Sequence, residues 1–444
     1  MIKNFISDLC GNKLKTVFAS LLLVLSLNCI AATKNVTIDK IKYSINTTDK
    51  KAQVKGRSEE ASKNWKLTIP DELLTEWGTI KVTSIASSAF SYDSYLTSVT
   101  CANTIETIGS NAFFGCSNLK SVYLGSKLSI LGYRAFSNTG LTSVELPASL
   151  TIIRDEVFMA SKKLQSVTFD RNTSKLESIG ASAFWQTGIE NLILPGCIKT
   201  IGEDAFEDCQ SLVSVSFLAG SGQTAIGDGC FNNNKKLAKV TFANPGVASI
   251  GQDAFIGCAI TNVSFPASLR SIGDGAFCGN NLTGLNFAEG ISSIGSFAFN
   301  DQTPNIPGGM NSLDKLTTLD LPASLKSIGK EAFLGVSRDL TSVTSKAAVP
   351  PVAMESAFDH TTLDNAHLIV PAASLAAYSS ANVWKDFLTI RAIGSTAVEA
   401  IDDDNSDEPT KYFTLSGIPV SAERLSPGIY ICKKGNKISK TVIK

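Results

Sequence analysis

The sequence contains few of the residues on which enzyme mechanisms and metal sites usually depend. Only two histidines occur among 444 residues, His360 and His367, and both fall late in the chain. No two cysteines have the Cys-x-x-Cys spacing of a zinc or redox site, and no glycine-rich phosphate-binding loop is present. These absences argue against acid–base, metal-dependent and nucleotide-dependent catalysis. We therefore expect no catalytic residues, no metal and no cofactor.

An excess of charge of one sign is also missing. The chain has 40 basic and 40 acidic residues, so its formal net charge is 0. Binding to nucleic acid or to an anionic membrane surface depends on a strongly basic surface. The composition thus predicts that nucleic acid is not a partner.

Long hydrophobic runs are confined to the N-terminus. Three lysines within the first 15 residues precede an apolar run over residues 16–30, which is the pattern of a secretory signal. The run is short for a retained membrane anchor, and Asn28 stands where a lipoprotein site at Cys29 requires a small residue. We predict that residues 1–32 are a signal peptide and that the exported chain has no transmembrane segment.

One short phrase recurs along most of the chain. Ile-Gly-x-x-Ala-Phe occurs, for example, at residues 201–206, 250–255 and 328–333. Twelve phenylalanines end this phrase or a looser copy of it: Phe90, Phe113, Phe136, Phe158, Phe184, Phe206, Phe231, Phe255, Phe277, Phe299, Phe333 and Phe358. Their spacing is 22–26 residues apart from one interval of 34, a period typical of leucine-rich repeats.

A second phrase, Leu-x-x-Val-x-Leu-Pro, lies between copies of the first, as at residues 141–147. Its Val-x-Leu core has the period of a half-buried strand, and the proline ends that strand because it donates no backbone hydrogen bond. The glycine of Ile-Gly permits a tight turn, and the four residues after it are expected to form a single helical turn.

These phrases predict a leucine-rich-repeat solenoid that is mainly β, with short parallel strands joined by single helical turns. One unit is too small to bury its own Phe, Ile and Leu, whereas stacked units bury them against one another. A continuous column of the repeat phenylalanines is the expected main source of stability.

The cysteines follow the repeat as well. Cys116, Cys209 and Cys258 each lie three residues after a repeat phenylalanine, a slot held elsewhere by Ser, Thr or Asn. A slot shared by these small residues indicates packing and a hydrogen bond to a neighbouring turn. Disulfides remain the alternative for an exported chain, while a catalytic thiol lacks a nearby histidine.

The two ends differ from the repeats in composition. Alternating residues before position 80 indicate short cap strands, and Leu375, Tyr378, Trp384 and Phe387 are predicted to face inward from one amphipathic helix over residues 375–387. The acidic run near residue 403 does not have the spacing of a calcium loop. The predicted organisation is a signal peptide (1–32), a β-rich N-terminal cap (33–80), a solenoid of about twelve repeats (81–370), a cap helix (371–394), an acidic linker (395–410) and a small β-rich tail (411–444).

The repeat resembles that of the BspA-like leucine-rich-repeat surface proteins. The copy at residues 316–333, LTTLDLPASLKSIGKEAF, matches the family pattern almost throughout, and the resemblance covers roughly residues 80–390. It implies a secreted or surface protein that adheres to host proteins or other cells. The tail motifs Tyr412–Gly417 and Leu425–Ile431 resemble the ends of exported proteins of Gram-negative anaerobes, which implies location in the outer envelope.

Two rows of variable positions are candidate binding surfaces. The exposed position within each strand is mostly small and polar, and Tyr123, Glu145, Ile193 and Asp320 stand out from it as possible anchors. The alternative is an ordinary solvated sheet.

A second row directly follows the repeat phenylalanines and includes the large apolar residues Phe114, Met159 and Trp185. These form either a partner patch or a cover over the turns. The insertion at residues 301–312 is rich in Pro and Gly and is interpreted as a tolerated loop.

The sequence therefore predicts a monomeric, non-catalytic binding protein. Its expected partners are host or bacterial surface proteins and, as the alternative function, glycans or a structural role in the envelope. The shared motif is structural, so the family resemblance transfers no ligand-binding residue.

Overall fold

The computed structural model of the protein describes most of the chain beyond the predicted signal peptide. The described residues are 33–58, 64–170, 173–221, 223–300, 316–335, 340–395, 410–414, 419–421, 425, 427–434 and 437–443. The predicted signal peptide, the Pro/Gly-rich insertion and the acidic run of the linker lie outside them.

Parallel strands stack along two sides of a solenoid of about twelve turns, and the larger set is a single sheet that we call the ladder sheet. Most turns of the solenoid contribute to this sheet a strand of only two residues, commonly Ser-Ile, which lies just before the glycine of the repeat. Its 16 strands are β1 (Thr33–Ile38), β2 (Ile41–Asn46), β3 (Lys51–Arg57), β5 (Glu72–Thr75), β6 (Gly78–Ile85), β8 (Thr107–Ile108), β10 (Ile130–Leu131), β12 (Ile152–Ile153), β14 (Ser178–Ile179), β16 (Thr200–Ile201), β18 (Thr224–Ile226), β20 (Val247–Ile250), β22 (Ser271–Ile272), β24 (Ser293–Ile294), β26 (Ser327–Ile328) and β28 (Val352–Ala353).

The Val-x-Leu phrases form the second side, which we call the strand face. It divides into four parallel sheets, of three, two, five and four strands. These are β4 (Trp65–Thr68), β7 (Leu96–Thr100) and β9 (Ser121–Tyr123); β11 (Ser143–Leu146) and β13 (Ser166–Phe169); β15 (Asn191–Leu194), β17 (Ser214–Phe217), β19 (Lys239–Phe242), β21 (Asn262–Phe265) and β23 (Gly284–Phe287); and β25 (Thr318–Leu321), β27 (Ser342–Ser345), β29 (His367–Val370) and β30 (Thr389–Ala392).

The N-terminal strands join the solenoid directly. Strands β1, β2 and β3 are antiparallel, and β3 then pairs in parallel with β6. On the other side β4 pairs in parallel with β7. Both sides of the solenoid are thereby continued to this end.

The connection after Ile-Gly differs from the expected single helical turn, because it consists of successive β-turns. In the second repeat, the Phe114 amide donates to the Asn111 carbonyl over 3.2 Å, and Asn111 and Gly115 have left-handed φ values of 55° and 71°. The Phe113 amide bonds the Ala135 carbonyl of the next repeat at 2.8 Å. A helical turn would direct its amides along its own axis, whereas these turns satisfy alternate amides by stacking on their neighbours. The expectation of helical turns was therefore wrong.

The predicted phenylalanine column is confirmed. All eleven successive ring pairs are stacked, with centroids 4.9–5.7 Å apart and interplanar angles of 3–18°. Trp65 closes the column beside Phe90 at 6.0 Å, and Trp384 closes it beside Phe358 at 5.7 Å. The rings of Phe217, Phe242, Phe265 and Phe287 form a shorter second stack on the strand side.

In six repeats the small slot three residues after the phenylalanine acts as predicted. The Cys209 thiol donates to the Phe184 carbonyl of the preceding repeat at 3.2 Å, and the Ser161 hydroxyl bonds the Phe136 carbonyl at 3.0 Å. The same bond is made by Cys116, Asn234, Cys258 and Asn280. Cys116, Cys209 and Cys258 are buried and form no disulfide, so their interpretation as packed ladder residues is confirmed.

The C-terminal cap is helical but is not the single helix expected over residues 375–387. Helix α1 (His360–Asn365) precedes β29; then follow a 3₁₀ turn (Ala372–Ser374), helix α2 (Leu375–Ser380), a second 3₁₀ turn (Trp384–Asp386) and β30. At about 100° per residue, a continuous helix would place Trp384 on the side opposite Leu375. The break, where Val383 has a φ of 70°, allows Trp384 to be fully buried.

The tail forms a small antiparallel sheet of its own. Its strands are β31 (Lys411–Phe413), β32 (Pro419–Val420), β33 (Gly428–Lys434) and β34 (Lys437–Ile443), in the order β32-β31-β33-β34.

Candidate binding surfaces

The four strand-face candidates lie at equivalent register positions of their sheets. Tyr123 pairs with Thr100 across β9 and β7, and its side chain is 53% exposed. Its hydroxyl donates to Asn103 Oδ1 at 2.9 Å, which fixes the ring over the loop after β7. Glu145 is exposed opposite Thr168.

The structure brings three of these four residues into one neighbourhood. Tyr123, Glu145 and Ile193 lie on β9, β11 and β15, which span only four strands of the face. Asp320 lies on β25, five strands beyond Ile193, and about 24 Å away at about 4.8 Å per strand. Asp320 therefore belongs to a different part of the surface.

The face formed by the β-turns, which we call the turn face, carries the second set of candidates. Phe114 and Met159 are half-buried and line one open groove of about 670 Å³. Trp185, also half-buried, is in the repeat after Met159, where its carbonyl accepts a 2.8 Å bond from the Ala160 amide. The structure thus groups Phe114, Met159 and Trp185 on one side of the molecule, over four successive repeats.

An exposed tyrosine extends this apolar patch toward the N-terminus. Tyr92 is 71% exposed, and its ring meets the Phe114 ring edge-on, with centroids 5.1 Å apart and an interplanar angle of 87°. Large amphipathic rings that remain accessible on a polar surface are the residues most often used as interface anchors.

Cationic residues surround the groove, and the sequence reasoning missed them. Lys162 and Lys163 are exposed on its lining, together with Arg134. Arg134 Nε donates to Glu156 at 2.6 Å, and its guanidinium lies 4.8 Å from the Tyr133 ring centroid. The lysine pair recurs in only one other repeat, as Lys235 and Lys236, and so was not recognised as part of the repeat pattern. Superimposing the repeats by their phenylalanines would have placed this lysine pair beside the slot of Met159.

The charge of the turn face changes from positive to negative in the repeat after Trp185. Glu203, Asp204, Glu207 and Asp208 lie on the repeat after Trp185. Partial burial raises the pKa of Asp204, and the neighbouring Glu203 raises it further. Burial and the charge of Asp204 likewise raise the pKa of Glu207. Trp185 therefore marks the border between a cationic and an anionic area.

The described part of the chain contains no group of three His, Cys, Asp or Glu side chains that could hold a metal ion. His367 Nδ1 is 2.8 Å from the Thr389 hydroxyl, and burial together with the Arg391 charge lowers the pKa of the imidazole. His367 therefore has a structural role, because it attaches β29 to the terminal strand β30.

The described helices are also too short or too polar to cross a bilayer. This finding covers the residues that the structure describes and concerns helices alone.

The repeat region matches a known family. The family described as BspA type leucine-rich repeat region matches in six copies, over residues 83–213, 200–308, 224–364 and 306–380. Together these ranges span two thirds of the chain. The chain belongs to the BspA-type leucine-rich-repeat family, whose members are bacterial surface proteins and are typically non-catalytic binding scaffolds.

The solved structures similar to the chain include a bacterial antigen and bacterial leucine-rich-repeat proteins. The pneumococcal vaccine antigen PcpA is 22% identical, with 81% of this chain and 98% of that chain covered and a TM-score of 0.42. A leucine-rich cell surface protein of Faecalibacterium prausnitzii is 21% identical, with 82% and 96% covered and a TM-score of 0.37. A leucine-rich-repeat protein of Bacteroides ovatus is 20% identical, with 80% and 99% covered and a TM-score of 0.34. No curated protein matches the chain.

Proposed function

We propose that the protein is an exported adhesin, which attaches a bacterial surface to host proteins or to proteins of other cells. The observation that supports this function best is the grouping of Phe114, Met159 and Trp185 on the turn face, next to the exposed Tyr92. The Phe column already buries twelve rings, so these additional apolar side chains are not needed to fill the core. Their partial exposure is consistent with contact to a partner.

The turn face is a stronger candidate than the strand face because of its chemistry. Aromatic and thioether side chains provide large, adaptable contact areas. The strand-face row, by contrast, consists mostly of Ser, Thr and Asn, and Tyr123 is its single aromatic member. We place the main contact on the turn face and a subsidiary one around Tyr123, Glu145 and Ile193. The protein acts in this proposal as a monomer in the outer envelope of a Gram-negative bacterium.

Glycan binding is the second candidate function, and one cavity favours it. Between β23 and β25 the strand face is interrupted, and a cleft of about 310 Å³ opens there. Its lining includes the amides of Asn262 and Asn286 and the hydroxyls of Thr283 and Thr317. Neutral amides and hydroxyls of this kind suit hydrogen bonding to a polyhydroxylated ligand.

A binding array tests the two functions against each other. The mature protein is applied to immobilised extracellular-matrix proteins and to bacterial and host polysaccharides. We expect binding to one or more proteins, with an affinity at least tenfold weaker for Trp185→Ala than for the unmodified chain, because aromatic anchors dominate interfaces. Tyr123→Ala serves as the matched aromatic variant on the other face, with a smaller loss expected.

The outcomes separate the candidates clearly. Binding to polysaccharides alone would overturn the adhesin proposal in favour of glycan recognition. Protein binding that is lost in Tyr123→Ala and kept in Trp185→Ala would move the main contact to the strand face.

A further inference from the structure

We infer that the groove between Phe114 and Met159 accepts an extended acidic segment of a partner protein, one that also carries apolar side chains. This inference rests on the proposed protein-binding function and specifies the partner's chemistry. It concerns the lining residues of the groove, which span the repeats of Phe113 to Phe184.

The lining is cationic and contains no carboxylate. Three of its twelve residues are Arg134, Lys162 and Lys163, and none is Asp or Glu. Arg134 is engaged with Glu156, whereas neither lysine lies within ion-pair distance of a carboxylate among the described residues. Two uncommitted positive charges at one rim favour an anionic ligand through complementarity, and this attraction also speeds association.

The shape of the groove fits a short stretch of extended polypeptide. Its lining crosses four successive repeats, and the three intervals between them, at about 4.8 Å each, give a length of about 14 Å. A polypeptide of about four extended residues has this length. At the floor of the groove, Gly140 allows its repeat to lie close against the preceding one, since a Cβ at this position would stand 2.3 Å from the Ser117 carbonyl oxygen. Met159 and Phe114 form apolar lining on either side of that floor, where they can cover a ligand's apolar side chain.

The charge reversal along the turn face argues against a uniform polyanion. Glu207 and Asp208 lie only one repeat beyond Trp185, so a sulfated or carboxylated glycan that continued past the groove would meet like charge. A polypeptide can confine its acidic residues to the groove and present neutral or basic residues beyond it. The mixed apolar and cationic lining and this boundary together favour a protein segment.

Synthetic polymers provide the test, because their charge and apolar content are known. Binding of the mature protein to a random Glu/Tyr copolymer, to polyglutamate of the same length and to heparin is measured by fluorescence anisotropy. The decisive variant is Lys162→Glu/Lys163→Glu. Lys235→Glu/Lys236→Glu is the matched control, because this lysine pair is equally exposed and occupies the same two slots of a later repeat, where Asn232 and Asn233 replace Met159 and Ala160.

We expect the Glu/Tyr copolymer to bind at least tenfold more tightly than polyglutamate. Copolymer binding should be at least tenfold weaker in the Lys162/Lys163 variant and less than threefold weaker in the Lys235/Lys236 variant. In the unmodified chain, added salt should also weaken copolymer binding. Equal losses in both variants would overturn the inference, since they would indicate attraction by overall charge.

If heparin binds more tightly than the copolymer, and if only the Lys162/Lys163 variant weakens heparin binding, the ligand of the groove is an anionic glycan and not a protein segment.

The failure of this inference is distinguishable from the failure of the adhesin proposal. If the array shows protein binding that depends on Trp185 while no polymer binds at the groove, the function stands and the acidic-segment specificity is wrong. If neither protein nor polymer binds, both are wrong.

Discussion

At the scale of single residues, the repeat phenylalanines link the sequence pattern to the stability of the solenoid. Phe206 is fully buried and stacks on Phe184 at 4.9 Å and on Phe231 at 5.2 Å. Each ring contributes both the burial of apolar area and two ring–ring contacts. The loss of one ring therefore leaves a cavity between two neighbours that the rigid backbone ladders hold apart.

Phe206→Ala is expected to lower the free energy of unfolding by about 3–5 kcal/mol, which is the usual effect of removing a buried aromatic ring. Urea denaturation followed by circular dichroism measures the change. Phe206→Leu is the control and should cost distinctly less, because most of the volume remains. A variant with Ala that unfolds at the same urea concentration as the unmodified chain would contradict the stacked-column account.

The residues that could be predicted from the sequence are the periodic ones. The twelve Phe and the slot of Cys116, Cys209 and Cys258 repeat often enough that their shared environment was recognisable. The lysine pair of Lys162 and Lys163 recurs in only one other repeat and Arg134 in none, so the repeat pattern did not distinguish them from solvated surface. Their meaning depends on which turns stack together, and the groove became visible only with the three-dimensional register.

At the scale of elements, the strands were predictable and the connections were not. Alternation of apolar and polar residues fixed the Val-x-Leu strands such as β11 and β17. The residues after Ile-Gly favour a helical turn when one repeat is considered alone. In the stack, hydrogen bonds to the next repeat outweigh that local preference, and left-handed residues such as Asn111 reorient the amides toward it.

The C-terminal cap shows how an element can be positioned by two side chains. Trp384 Nε1 donates to the Pro351 carbonyl at 2.7 Å, and the Tyr378 hydroxyl bonds the Ala347 carbonyl at 2.9 Å. Both anchors attach the broken helix to the chain between β27 and β28. The sequence predicted that these two aromatic residues face inward. It did not predict the helix break, which allows both side chains to make their hydrogen bonds.

Trp384→Ala should loosen the last repeats much more than the first. Because each repeat contacts only its neighbours, we expect amide hydrogen exchange in β27 and β29 to accelerate at least tenfold, while β7 and β9 keep their protection. Trp384→Phe keeps an aromatic ring on Phe358 but loses the indole hydrogen bond, so a smaller acceleration is expected. Unchanged exchange in β29 of the alanine variant would show that the cap does not secure the final turns.

At the scale of the whole molecule, several buried thiols couple stability to pH. Burial raises the pKa of Cys101, Cys116 and Cys258 to about 12 and that of Cys209 to about 11. In the unfolded chain these thiols ionise near pH 9. Their contribution to stability is therefore fully present below about pH 8 and is lost as the pH rises toward the folded-state values.

The free energy of unfolding should consequently fall steeply between pH 9 and pH 11. Urea midpoints measured across this range under reducing conditions test the expectation. In a Cys116→Ser/Cys209→Ser/Cys258→Ser variant the hydroxyls preserve the donor to the phenylalanine carbonyls without titrating there, so the slope with pH should be shallower. Parallel slopes for the two proteins would show that other groups control alkaline unfolding.

The interval of 34 residues between Phe299 and Phe333 affects the three sides of the solenoid unequally. The ladder sheet continues across it through Ser293 and Ser327, and the two rings remain stacked at 5.4 Å, while the strand face is interrupted between β23 and β25. The flanking repeats thus keep the register of the ladder sheet and of the phenylalanine column. This interval is a natural place for a protein engineer to graft a foreign epitope, while the repeating interior stays unchanged.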